Sequence, residues 1–423
     1  MKLIDILKDL PVLETNADLN ADITDVCYDS RQAGEGCLFV AIAGAETDGH
    51  KYIPMARERG AACVVCQHAP DAAIPYVVVE DSRRALAVIA CNWFDHPSRE
   101  LTMIGVTGTS GKTTSTYLIK SILEQKAGAK VGLIGTIQNM IGSEVLHTER
   151  TTPESFELQK LFSEMVDAGC THCVMEVSSH ALVLHRADEI SFETGIFTNL
   201  TEDHLDFHKT MDAYCEAKAM LFTRCRHGVV NTDDAYAQKI MAHATCSLLR
   251  YAEKDSEAEL RAEDIELAAD HVAFTAKTAH EQAQVRLAIP GGFTVYNALA
   301  VIGAGLTLCT ALVWFSCYTR IMTSDKFVYL FGRIVPALSL VLSMTLRFVP
   351  RFSAQARRVS KAQAAVGNDM HTGSLLHRIK CALMVFSILV TWSLENAVDT
   401  ADSMRARGYG LPGRSAFSIF TLT

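Results

Sequence analysis

Along the first three quarters of the chain, short apolar runs alternate with longer stretches of helical spacing. GCLFVAIAG (36–44), AACVVC (61–66) and IPYVVVED (74–81) read as strands, while HKYIPMARERG (50–60) and SRRALAVIACNWF (82–94) carry the helical period. A polar, proline-containing break, DHPSRE (95–100), marks a domain boundary. A second series follows: LTMIGVTG, KVGLIGT, HCVMEVSS, TGIFTNL and HGVVNTDD, each run separated from the next by a helix-like segment. That rhythm predicts a parallel sheet with crossover helices and ligands at the carboxyl ends of its strands. Residues 247–289 are more irregular, and TVYNALAVIGAGL (294–306) reads as a helix.

From Phe293 to Thr319 no residue is charged, and beyond Ala311 the texture changes. Phe327–Leu346 is of membrane-span length with one arginine, Arg333, and one proline, Pro336. RFVPRFSAQARRVSKAQ (347–363) has the basic amphipathic character of an interfacial helix, and the uncharged run Cys381–Leu394 is short for a span. A soluble helical domain is the alternative for this part, because run length alone does not separate core from membrane helices.

Charge sharpens the division. The net charge of −9 conceals a basic tail: residues 311–423 hold 13 Lys+Arg and 5 Asp+Glu, and the acidic excess lies before them. An acidic domain argues against nucleic acid as a partner. The opening MKLIDILKDL lacks the uninterrupted apolar core of a signal peptide, so the first part is expected to be cytoplasmic with reduced thiols. Two CxxC pairs, Cys63/Cys66 and Cys170/Cys173, raise a zinc site. Both sit in β-branched runs, however, where residues three apart face opposite ways, and buried thiols are the better reading.

The richest chemistry lies at GVTGTSGKTTS, Gly105–Ser115. A strand feeds a glycine-rich turn ending in Gly-Lys-Thr, and a helix follows. Glycines let backbone N–H groups close on phosphate oxygens, Lys112 brings positive charge, and the Thr113 hydroxyl suits Mg²⁺. The usual spacing of such a loop is not met, since Val106 stands where its first glycine belongs. A nucleoside triphosphate site is expected.

With GTIQNMIG, RTTPES, VMEVSSHALVLHR and GIFTNLTEDHLDFHKTMDAYCEAKAMLF following in order, the chain resembles the Mur ligases, closest to those that add the third amino acid to UDP-N-acetylmuramoyl-L-alanyl-D-glutamate. The resemblance implies an α/β fold. Residues 1–98 would form an N-terminal UDP-substrate domain, and 99–306 a central ATP-binding domain with a P-loop and a mainly parallel sheet. It implies ATP bound by Thr107, Gly108, Thr109, Ser110, Gly111, Lys112, Thr113 and Thr114, with Asn297 near the adenine. It also implies Mg²⁺ held by Thr113, Glu176, His204 and a carbamylated Lys218. The carbamate adds a carboxylate-like oxygen where an ammonium would repel the metal. Ser30, Thr151, Thr152, Ser178 and Arg186 would hold the UDP-muramoyl dipeptide. Lys112, Lys218 and His204 carry the catalytic roles, through an acyl phosphate that an incoming amine displaces. Arg150 replaces a common Asn, and Leu184 a Gln of some members. His180 and His208 suggest a general base, though structural histidines are commoner.

The third Mur ligase domain, with its Asp-Asn-Pro-Arg motif, finds no counterpart in this sequence. From about Leu312 the chain instead resembles the transmembrane T component of energy-coupling factor (ECF) vitamin transporters, with Ala406-Arg407-Gly408 as its coupling motif. Residues 307–423 are therefore expected to be α-helical and partly transmembrane-like, with the membrane and the ECF ATPase subunits as implied partners. Three functions stay open: a ligase impaired by loss of its third domain, a membrane coupling component, and a non-functional chimera of the two.

Overall fold

The computed structural model describes residues 1–44, 47–71, 73–321, 352, 355, 358–360, 362–363 and 375–408. The chain divides into two compact units, Met1–Thr310 and Ala311–Thr423.

The first unit is built on two sheets. After helix α1 (Leu3–Ile6), strands β1 (Glu14–Thr15), β2 (Val26–Cys27) and β3 (Leu38–Val40) are followed by α2 (Ile53–Glu58), β4 (Cys63–Cys66), β5 (Tyr76–Val78) and α3 (Ser82–Trp93). The five strands lie in the order β1-β5-β4-β3-β2, parallel except for the β1–β5 pair. Strands β3 and β4 are buried throughout, which explains their unbroken apolar sequence. Helix α3 begins where Asp81 accepts from the Arg83 and Arg84 amides, and its Ala85, Leu86 and Ile89 pack on the sheet. Cys63 and Cys66 sit at the two ends of β4, both buried; burial pushes their thiols up to about 12 and about 11.

Strand β6 (Thr102–Thr107) opens the second sheet and leads into α4 (Lys112–Ala127). Next come β7 (Val131–Ile134), β8 (Asn139–Ile141), β9 (Glu144–Leu146), α5 (Ser155–Asp167), β10 (His172–Glu176), α6 (Ser179–Val183) and β11 (Phe192–Phe197). The remainder is α7 (Leu205–His208), α8 (Met211–Ala219), β12 (Cys225–Asn231), α9 (Ala237–His243), β13 (Ser247–Ala252), β14 (Leu260–Leu267), β15 (Val272–Lys277), β16 (Gln282–Leu287) and α10 (Phe293–Ile321). The eleven strands run β16-β15-β14-β13-β12-β11-β6-β10-β7-β8-β9. From β14 to β7 the pairing is parallel, as expected. The irregular stretch before residue 289 proves to be an antiparallel meander, β14-β15-β16, whose half-exposed strands carry too few apolar residues to announce themselves. The other CxxC pair flanks and enters β10, with both thiols buried.

Helix α10 settles part of the uncharged run. Val295, Ala298, Leu299, Ala300, Val301 and Ala304 pack into the same core as Ile104, Val106, Val174 and Val229 of the sheet. The Thr307 hydroxyl meets that of Thr194 on β11, 3.1 Å away and buried. The start of the run is therefore apolar because it covers a sheet. In the second unit, the Cys381–Leu394 run lies inside a helix, Leu375–Ala406, and Ala406-Arg407-Gly408 stands at its end, Gly408 with φ +72°. The expected span Phe327–Leu346 lies outside the described residues. Among the described residues no helix is long and apolar enough to cross a membrane; this agrees with Cys381–Leu394 being short for a span and gives no support to the partly transmembrane-like character expected of 307–423. Lys380 and Glu395 bound that uncharged stretch.

Candidate nucleotide and substrate site

Parallel strands β6, β10 and β11 end side by side, and their carboxyl ends carry the site. The turn after β6 takes two conformations that favour glycine, Gly108 at φ +148° and Gly111 at φ +86°. A Cβ at Gly108 would collide with Thr198 Oγ1, and one at Gly111 with Asn297 Oδ1. The loop is held from β11: Asn199 Oδ1 accepts from the Ser110 amide at 2.9 Å, Asn199 O from the Thr109 amide at 2.9 Å, and the Thr198 hydroxyl donates to Ser110 O at 2.7 Å. Thr198 and Asn199 were legible only as part of a strand end, because their partners lie about ninety residues away in sequence.

Lys112 folds back so that Nζ donates to Gly108 O and Thr109 O, each at 2.9 Å. Burial lowers its pKa, opposed by Glu176 and Asp203. Thr113 Oγ1 donates to Glu176 Oε1 at 2.9 Å. The Thr136 amide and hydroxyl add bonds to the two Glu176 oxygens at 3.1 and 3.0 Å. Three buried polar atoms around the loop have no partner: Thr107 Oγ1, Ser115 Oγ and Asn297 Nδ2. Groups left unpaired in this way fit a cradle that a polar ligand completes. The oxygen donors Thr113 and Glu176 suit a hard cation such as Mg²⁺. Asn297 lies against the phosphate loop itself, at Gly111.

Lys218, on α8, is 1% exposed. Its Nζ donates to Gly108 O at 2.9 Å and lies 4.5 Å from the centroid of the Tyr214 ring. Among the described residues no carboxylate pairs with it, while the more distant Asp203 charge favours its protonated form. Burial, and then the Lys112 charge, hold its pKa well below the usual lysine value. His204 is half-exposed, in the left-handed region at φ +52°, with Nε2 3.5 Å from Asp203 and its ring edge-on to His180 at 4.9 Å. Among the described residues no three His, Cys, Asp or Glu side chains converge as a metal cluster, and Glu176 and His204 make separate contacts. His208 bonds Ser179 Oγ at 2.8 Å and stacks on Tyr214; burial first, then nearby cations, lower it to about 4.

Of the expected substrate contacts, three cluster. The Thr152 hydroxyl bonds Glu176 O (2.9 Å) and Ser178 Oγ (3.3 Å), and Arg186 Nη1 donates to Thr152 O at 3.3 Å. The Thr151 hydroxyl accepts from Thr136 at 3.1 Å. Ser30 is buried in the loop after β2, and its hydroxyl goes to Met55 Sδ at 3.4 Å, not to the other four. Beside them runs a cleft of about 690 Å³, lined by Tyr28, Gln32, His147, Arg150, Glu154 and Glu157 among others. Sequence reasoning passed over Thr136, Tyr214 and Glu154. Nothing local marks them, since each matters through a partner distant in sequence.

The family model described as the Mur ligase middle domain matches residues 106–305, and that of the Mur ligase family catalytic domain matches 22–93. Residues 22–305 belong to the Mur ligase family. The chain is 46% identical over 309 residues to UDP-N-acetylmuramoyl-L-alanyl-D-glutamate–2,6-diaminopimelate ligase 1 of Clostridium acetobutylicum, covering 72% of this chain and 64% of that protein. It is also 46% identical over 290 residues to the corresponding ligase of Clostridium botulinum, covering 67% and 60%. A solved structure of a UDP-N-acetylmuramoyl-L-alanyl-D-glutamate–2,6-diaminopimelate ligase superposes with a TM-score of 0.64 at 25% identity, over 72% of this chain and 63% of that one. The chain thus spans less than two thirds of the length of these Mur ligase relatives. The transporter resemblance of the later residues gains no support from these matches, since the family matches end at residue 305.

Proposed function

We propose that the Mur ligase part binds ATP at Thr107–Thr114 and a UDP-muramoyl dipeptide beside Thr151, Thr152, Ser178 and Arg186, and activates the dipeptide's terminal carboxylate as an acyl phosphate. An amine, the third amino acid of the growing peptide, then displaces phosphate to give an amide. The observation that carries this reading is Lys218. A fully buried ammonium with one carbonyl partner and a second lysine nearby is costly unless chemistry requires it. A depressed pKa supplies the neutral amine that reacts with carbon dioxide, and the resulting carbamate turns a repelling charge into an oxygen donor for Mg²⁺ beside Lys112 and Glu176. When bound, Mg²⁺ supplies charge neutralisation at the phosphates. Thr113 and Glu176 would hold it, with the modified Lys218 and His204 as the further donors the resemblance implies. Lys112 would stabilise the transferring phosphoryl group, and the loop amides would orient it.

Trapping with hydroxylamine separates the two halves of the reaction. The chain with ATP, Mg²⁺, bicarbonate and UDP-N-acetylmuramoyl-L-alanyl-D-glutamate should yield the dipeptide hydroxamate, and Lys112→Ala should yield none. Hydroxamate formation that ignores ATP, or that survives in Lys112→Ala, would overturn the assignment.

A further inference from the structure

Three guanidiniums outside the phosphate site converge on one carboxylate. Glu154 stands at the N-terminus of α5, where its side chain caps no amide, and is 6% exposed. Its Oε2 lies 3.2 Å from Arg186 Nε, 3.4 Å from Arg83 Nη1 and 3.6 Å from Arg150 Nη1. Arg83 comes from α3 over the first sheet, while Arg150 and Arg186 come from the second. One carboxylate among three guanidiniums leaves this cluster with an excess of positive charge; Arg150 and Glu154 of the set reach the cleft, whose lining elsewhere carries Asp29, Glu157 and Glu164 as well as Arg31 and Lys160. The Arg186 contact is an ion pair without hydrogen-bond alignment, and the same guanidinium is steered by Thr152 O at 3.3 Å. Arg83 is fixed a second time, through Nε to Ala43 O at 3.2 Å.

We propose that Glu154 is a positioning residue: it gathers Arg83, Arg150 and Arg186 from both sheets into one recognition cluster for an anionic group of the sugar-nucleotide peptide. This rests on the function proposed above. Like-charged guanidiniums separate unless a buried anion holds them, and a held set meets a carboxylate or phosphate without reorganising. The alternative is that Glu154 only screens the arginines. The two differ in sign, because removing a mere screen strengthens attraction for an anion, whereas removing an organiser weakens binding.

The test is calorimetric titration of the full chain with UDP-N-acetylmuramoyl-L-alanyl-D-glutamate, UDP and ATP in turn. Glu154→Gln should weaken the dipeptide nucleotide about tenfold and leave ATP within about twofold. A loss shared by UDP assigns the anion to the diphosphate, and a loss confined to the dipeptide assigns it to a carboxylate. Arg83→Met reads the same coupling with Glu154 intact, should E154Q fold poorly. The double variant should bind no more weakly than the worse single one. Unchanged or tighter binding by E154Q at low salt, or losses that multiply in the double variant, would refute the proposal. A wild-type chain that binds ATP but no UDP-muramoyl dipeptide would instead overturn the function beneath it.

Discussion

Replacing Lys218 with methionine should make the protein more stable and abolish the proposed ATP-dependent carboxylate activation. Lys218 is buried, with one hydrogen bond to Gly108 O at 2.9 Å and Lys112 as a repelling neighbour. Methionine keeps the length and most of the volume of the stem. The substitution gives up one charged hydrogen bond, about 1.5–3 kcal/mol. It also removes the desolvation of a buried ion, several kcal/mol. The net expectation is a gain of about 1–3 kcal/mol at neutral pH. The pH dependence fixes the sign. The folded pKa lies below the unfolded value, near 10.5, so between the two the unfolded chain binds the extra proton and wild-type stability rises with pH. The advantage of K218M is therefore largest below the depressed folded pKa and fades as pH approaches 10.5. Urea denaturation of both proteins in carbon dioxide-free buffer at pH 6.5 and pH 9.5 reads this directly. A methionine variant less stable than wild type at pH 6.5, or a difference that does not shrink with pH, would refute the reasoning.

Other substitutions probe the rest of the site. Gly108→Ala forces a Cβ into Thr198 at a backbone angle that side chains avoid; ATP affinity should fall by about 2 kcal/mol or more, read by fluorescent-nucleotide displacement. Glu176→Gln should keep the Thr113 contact yet weaken Mg²⁺-dependent nucleotide binding by about tenfold, with metal-free binding changed far less. Tyr28→Phe removes the 2.8 Å bond to the half-buried Glu157 and should cost about 1–3 kcal/mol in urea denaturation. The buried thiols of Cys63, Cys66, Cys170 and Cys173 should resist an aromatic disulfide reagent in the folded chain and react only on unfolding.

Much of this architecture is legible in the sequence, for identifiable reasons. The strands β3, β4, β6, β7 and β10, with the later halves of β11 and β12, are buried on both faces and so appear as largely apolar runs, and Gly108 to Lys112 advertises a glycine-rich turn suited to a phosphate loop. The β14–β16 meander was not legible, because its outer face is solvated and its pattern too polar. The uncharged run at Phe293–Thr319 was ambiguous for a related reason: a helix covering a sheet and a helix facing lipid use the same residues, and only the packing of Val295–Ala304 separates them. At the site, Lys112, Thr113 and Glu176 are read from local motif and resemblance. Glu154, Thr136 and Asn199 act only through contacts made by the fold, and a single sequence does not display those.

Binding of a UDP-muramoyl dipeptide by the Mur ligase part is proposed on the clustering of Thr152, Ser178 and Arg186. Isothermal titration of the full chain with UDP-N-acetylmuramoyl-L-alanyl-D-glutamate tests it most directly. Saturable one-to-one binding is expected, weakened at least about tenfold by Arg186→Ala. Absence of binding by the wild-type chain, or equal affinity in R186A, would contradict it.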